Sequence, residues 1–183
     1  MKVFIMLLLL TISLFAMSRE QISVLQTAYS MGKMIKAKNG TSFENTLAAI
    51  ALTESSAGVD IVGDDRTKTG EKKLLVDSSL GCMQIRISTA KELAKKYKII
   101  SWLSNYSDEE LGFKLMSSNQ LSAMIAGLHI AHYYDVALSR KWKRPWFKTI
   151  SRYNGGWNNT YYFNKVKKNM KIIKRLVKNG AIR

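Results

Sequence analysis

Thr41–Gly58, TSFENTLAAIALTESSAG, is the stretch on which the fold turns. Thr41 with Glu44 three residues on has the form of a capping box, which predicts a helix start with two backbone donors satisfied by side chains. Leu47, Ile50 and Ala51 follow at helical spacing, and the next position on their face is Glu54. A carboxylate therefore stands where the pattern asks for an apolar residue. Ser55, Ser56 and Gly58 are turn formers, and Gly58 suits a left-handed exit, so the helix is expected to stop within a turn of Glu54. Burial and the negative pole of a helix C-terminus both disfavour an ionised carboxyl, which is how a glutamate becomes a general acid near neutral pH. The position equally suits a buried glutamate paired with an arginine or lysine. The stretch alone leaves both readings open.

On the N-terminal side, residues 1–18 carry one lysine and then the apolar run VFIMLLLLTISLFAMS, bounded by the small residues Ala16 and Ser18. This reads as a secretory signal peptide cut after Ala16 or Ser18, with an uncleaved membrane anchor as the competing reading. No cysteine follows the leader to carry a lipid, and no stable membrane insertion is expected once it is removed. Residues 19–183 suit a single domain with a sizeable core. Lysine and arginine number 29 against 13 acids, a formal charge of +16. Such a balance marks a polyanionic partner, and export makes nucleic acid the poorest candidate, leaving an anionic polymer outside the cytoplasm. The single cysteine, Cys82, cannot close an intrachain disulfide and reads as a small buried residue.

Around the Glu54 helix, Ile22, Leu25, Tyr29 and Ile35 predict a helix over 19–38 that stops at Asn39-Gly40. From Asp60 to Ser79 the periodicity breaks, and Leu74-Leu75-Val76 could form a strand, so a small hairpin excursion is expected. Asp64, Asp65 and Asp77 there are the nearest candidates for a second carboxylate, though their spacing does not make a calcium loop. Ser88 is a candidate helix cap, Ser107 with Glu110 forms a second capping box, and Leu121 to Ala131 predicts a long buried helix. His129 and His132 share that helix, but no third histidine exists and no metal site is assigned. Pro145 opens a short helix that ends in Tyr153-Asn154-Gly155-Gly156-Trp157. Tyr162, Val166, Met170, Ile173 and Val177 give a terminal helix whose other face is mostly lysine and arginine. The chain is thus mainly α, without repeats, phosphate-binding glycine loops or cysteine-rich metal motifs.

Glu54-Ser55-Ser56-Ala57-Gly58, Gly81-Cys82-Met83-Gln84-Ile85, Ala126-Gly127 and Tyr153-Asn154-Gly155-Gly156 occur in one order along the chain. That series resembles the soluble lytic transglycosylases, lysozyme-like helical enzymes that cleave bacterial peptidoglycan, among them small members serving secretion and conjugation machines. The resemblance maps the catalytic acid onto Glu54 and gives substrate-contacting roles to Ser55, Met83, Gln84, Tyr153 and Asn154, with the Tyr153 hydroxyl near the acid. Cys82 replaces the usual leucine of the second motif, Ala123 stands where the third often has asparagine, and the 60–79 segment is longer than common.

The resemblance implies cleavage between N-acetylmuramic acid and N-acetylglucosamine without water, the muramoyl C6 hydroxyl closing on C1 to give a 1,6-anhydro end. No cofactor is required. One acid suffices because the substrate supplies the nucleophile, whereas ordinary glycosidases need two. A lysozyme-type hydrolase drawing its second acid from Asp64, Asp65 or Asp77 is the alternative enzyme. A peptidoglycan-binding assembly module of a secretion or conjugation apparatus is the non-enzymatic one.

Overall fold

The computed structural model describes residues 17–67 and 69–183; residues 1–16 of the expected leader lie outside them. The chain is mainly helical, as expected, with one small hairpin. Its α-helices are α1 (Arg19–Met34), α2 (Glu44–Ser55), α3 (Ile87–Lys96), α4 (Asp108–Ser117), α5 (Asn119–Ser139), α6 (Pro145–Tyr153) and α7 (Thr160–Lys178). The hairpin pairs β1 (Val62–Gly63) antiparallel with β2 (Ser79–Leu80), Val62 opposite Leu80 and Gly63 opposite Ser79.

Helix α5 is the axis. Leu121, Ile125, Ala126, Ile130 and Ala131 are buried on several of its sides, and α1 and α6 pack against it. Helix α2 lies between α1 and α7 and is buried along most of its length, Leu47 to Ala51 being sealed from solvent. A Cβ at Gly32 would lie 2.7 Å from the Glu44 backbone, so α1 can lie this close to the start of α2 only at a residue with no side chain. The caps expected at Ser107 and Pro145 are present: Ser107 and Glu110 exchange their hydrogen bonds, and Pro145 opens α6.

Several local expectations are corrected. The Thr41 capping box does not form; α2 begins at Glu44 with Phe43 as its N-cap. The buried Phe43 ring lies 5.4 Å from that of Tyr134 and 5.9 Å from that of Trp146, and its backbone N–H is taken by the Gly32 carbonyl, so tertiary packing sets the start. Helix α1 ends at Met34, and Asn39-Gly40 instead turns a short return in which Lys36 bridges Ser42. Leu75–Asp77 is a turn of 3-10 helix rather than a strand, with Leu74 and Leu75 exposed and β1 already paired to Ser79–Leu80. Ser88 lies inside the first turn of α3, whose N-cap is Arg86.

Candidate active site

Glu54 occupies the last turn of α2, as the turn formers Ser55, Ser56 and Gly58 predict. The helix then leaves through three successive left-handed residues, Ser56 (φ 53), Ala57 (φ 59) and Gly58 (φ 86). This costly exit is tied down from both sides. The Ser55 hydroxyl donates to the Cys82 carbonyl at 2.7 Å and accepts from Gly58 N–H at 2.8 Å. From α1, Gln21 Nε2 donates to the Ser56 carbonyl at 2.8 Å.

The Gly81–Ile85 turn comes against this helix end because Gly81 permits it. At φ 75, a Cβ on Gly81 would sit 2.1 Å from the Leu115 carbonyl oxygen. Met83 N–H donates to Ser122 Oγ at 3.2 Å, and the Met83 carbonyl accepts the Tyr153 hydroxyl at 2.7 Å. The turn thus links α2, α5 and α6 through its backbone, while the Met83 and Cys82 side chains are buried.

Glu54 Oε1 accepts a short hydrogen bond from the Tyr162 hydroxyl on α7. A second tie, Asn169 Nδ2 to Thr53 Oγ1 at 2.9 Å, fixes α7 along the same turn of α2. Burial pushes the Glu54 carboxyl above the usual carboxylate range, opposed by the Tyr162 hydrogen bond and the charge of Lys165. None of the ion pairs among the described residues includes Glu54, so the paired-glutamate reading does not apply.

Glu54 opens into a cleft of about 840 Å³. Gln84, His129, Arg152, Tyr153 and Asn154 also line it, with Asp64 on the hairpin side. Asp64 is the one expected aspartate that lines this cleft, and it is bound to Lys73 at 3.0 Å and Arg86 at 2.5 Å. The hydrogen bond from Lys73, reinforced by the Arg86 charge, holds its carboxyl below the usual range. The cleft therefore contains one carboxyl raised above the usual range and one held below it. His129 lies deeper, its imidazole pushed down to about 4 by burial and neighbouring cations.

The expected site residues divide. Glu54, Gln84, Tyr153 and Asn154 line the cleft, whereas Ser55 and Met83 are sealed in the core and do not reach it. Gln84 spends its amide inside the fold, donating to the Asp60 and Gly81 carbonyls at 2.9 and 3.0 Å. It braces the 60–79 excursion. The hydroxyl bonded to Glu54 is that of Tyr162, whereas the Tyr153 hydroxyl goes to Met83. The sequence places Tyr162 only on the apolar face of α7, whose start is capped by Asn159 accepting from Tyr162 N–H at 3.0 Å.

The family model for the transglycosylase SLT domain matches residues 32–175, a span that includes Glu54, the Gly81–Ile85 turn, Tyr153 and Tyr162. The chain belongs to the transglycosylase SLT domain family. Comparison with curated proteins and with solved structures gives no match. The helical architecture with its small hairpin is that of a lysozyme-like SLT domain. An SLT domain acts on peptidoglycan by transglycosylase-type chemistry, so peptidoglycan is the class of polymer for this chain. No helix among the described residues of this SLT domain is long and apolar enough to cross a membrane.

Proposed function

We propose that this chain is an exported peptidoglycan lytic transglycosylase in which Glu54 acts first as general acid and then as general base. Protonated Glu54 donates to the glycosidic oxygen between N-acetylmuramic acid and N-acetylglucosamine, and the bond from that oxygen to C1 breaks. The carboxylate left behind takes the proton of the muramoyl C6 hydroxyl as O6 bonds to C1. Glu54 is thereby reprotonated, a 1,6-anhydro end is formed, and no water is consumed.

The observation that carries this reading is a carboxyl at a helix end, raised by burial, free of any cationic partner within salt-bridge distance and opening into the cleft. Tyr162 holds one oxygen in place, leaving the other for the substrate. Gln84, Tyr153 and Asn154 line the binding surface. Ser18 caps α1 through a reciprocal pair with Gln21, so leader cleavage after Ala16 rather than Ser18 preserves that helix start. The periplasm or cell envelope is the site of action, in wall turnover or beside a secretion or conjugation apparatus.

Digestion of purified sacculi, with the sugar ends read by mass spectrometry, tests the chemistry. Anhydromuramic ends made by the parent and lost in Glu54→Gln are expected. Reducing ends would replace this with the hydrolase reading, for which Asp64 is the cleft-lining second acid. Cleavage by Glu54→Gln at the parental rate would remove Glu54 from the mechanism.

A further inference from the structure

A path of rings runs beside Glu54, and three of them, Tyr153, His129 and Tyr133, line the cleft. Tyr153 stacks on Tyr162 at 6.5 Å, His129 lies 5.4 Å from Tyr153, and Tyr133 lies 4.7 Å from His129. Trp157 closes the path 5.2 Å from Tyr133. The Arg152 guanidinium lies over both Tyr133 and Trp157, at 5.2 and 5.5 Å. Its NH1 donates to the Gly155 carbonyl at 3.1 Å, but its buried Nε–H meets no acceptor among the described residues. The buried His129 Nδ1 is likewise without a partner. Both side chains line the cleft.

A buried polar atom without a hydrogen-bond partner is costly, and Arg152 Nε and His129 Nδ1 are two such atoms on one wall. The cleft's own acids do not serve Arg152. Asp64 is held by Lys73 and Arg86, and Glu92 by Lys96 at 2.7 Å. Arg140 and Lys148, set around the neighbouring Trp142, add positive charge at this end. With NH1 engaged, the edge formed by Nε and NH2 remains, and that planar fork matches the two oxygens of a carboxylate.

We propose that Arg152, with His129 beside it, forms a subsite for a carboxylate on the lactyl-peptide arm of the muramoyl unit. The inference rests on the reading of the cleft as a glycan site. Arg152 takes the carboxylate through its Nε–NH2 edge, His129 donates to it, and Trp157 and Tyr133 shield the pair from water. The subsite thereby sets where along a strand the muramoyl residue stops.

Binding is measured by titration calorimetry in the Glu54→Gln background, so that turnover plays no part. Three ligands are used: a chito-oligosaccharide with no carboxylate, a peptide-free muramoyl oligosaccharide bearing the lactyl carboxylate, and its stem-peptide form. Arg152→Gln is expected to weaken the carboxylate-bearing ligands about tenfold or more, the scale of a lost charge-assisted hydrogen bond, and the chito-oligosaccharide far less. A loss confined to the peptide-free form assigns the lactyl carboxylate, which is an amide in the stem-peptide form; a loss confined to the stem-peptide form assigns a stem carboxylate; a loss with both shows that Arg152 takes whichever carboxylate the arm carries. Arg152→Lys, which keeps the charge and much of the packing, is expected to lose less in the same order and serves if the glutamine variant misfolds. Equal losses for all three ligands, or none, overturn the subsite. A parent that binds none of them overturns the glycan reading and the subsite with it.

Discussion

Tyr162→Phe is the most informative single change to the site. The ring and its stacking on Tyr153 are retained, while the hydroxyl that donates to Glu54 is removed. A hydrogen bond to a charged acceptor contributes about 1.5–3 kcal/mol, and this one favours the ionised carboxyl. Its loss adds to the effect of burial, which already pushes Glu54 upward, so the ionised form falls more than tenfold relative to the protonated one. In dye release from labelled sacculi, the alkaline limb of kcat/KM should therefore move to higher pH. The plateau should fall about tenfold, because an acid with one oxygen unanchored is less well placed. An alkaline limb that stays in place or moves to lower pH would refute the coupling of Tyr162 to the ionisation of Glu54.

Two further outcomes follow from the same geometry. Glu54→Gln should stabilise the fold at neutral pH: because the folded carboxyl lies above its unfolded value, the parent loses stability as pH rises through that window. Urea unfolding should show the gain fading once the pH drops below the unfolded carboxylate range, and a gain independent of pH would argue against this cause. Ser55→Ala strips partners from the Cys82 carbonyl and Gly58 N–H and should cost about 2–4 kcal/mol in urea unfolding. Unchanged stability with weakened substrate binding would return Ser55 to the cleft.

What the sequence discloses about this site is what is local. Glu54 is legible because it interrupts an apolar face within its own helix, and the Ser107 box and Pro145 because a cap is a contract between near neighbours. Thr41 misleads because Phe43, pressed against Tyr134 and Trp146, decides where the helix begins. Ser55 misleads differently: the residue after Glu54 is turned about 100° around the helix, away from the cleft and into the core. Met83 contributes its backbone, which a motif of side chains does not reveal. Tyr162 stands 108 residues from Glu54, and nothing in its spacing announces the meeting.

The ties around Glu54 span the chain in widening steps. They join residues 27 apart between Ser55 and Cys82, 70 between Met83 and Tyr153, 108 between Glu54 and Tyr162, and 116 between Thr53 and Asn169. Contacts so distant in sequence carry a loop-closure cost that grows with the separation of their partners. Two of these ties, Tyr162 to Glu54 and Asn169 to Thr53, come from α7, so the setting of Glu54 is incomplete in any chain that lacks that helix. In this SLT domain Glu54 is not held by Tyr162, nor Thr53 by Asn169, until the last helix has docked.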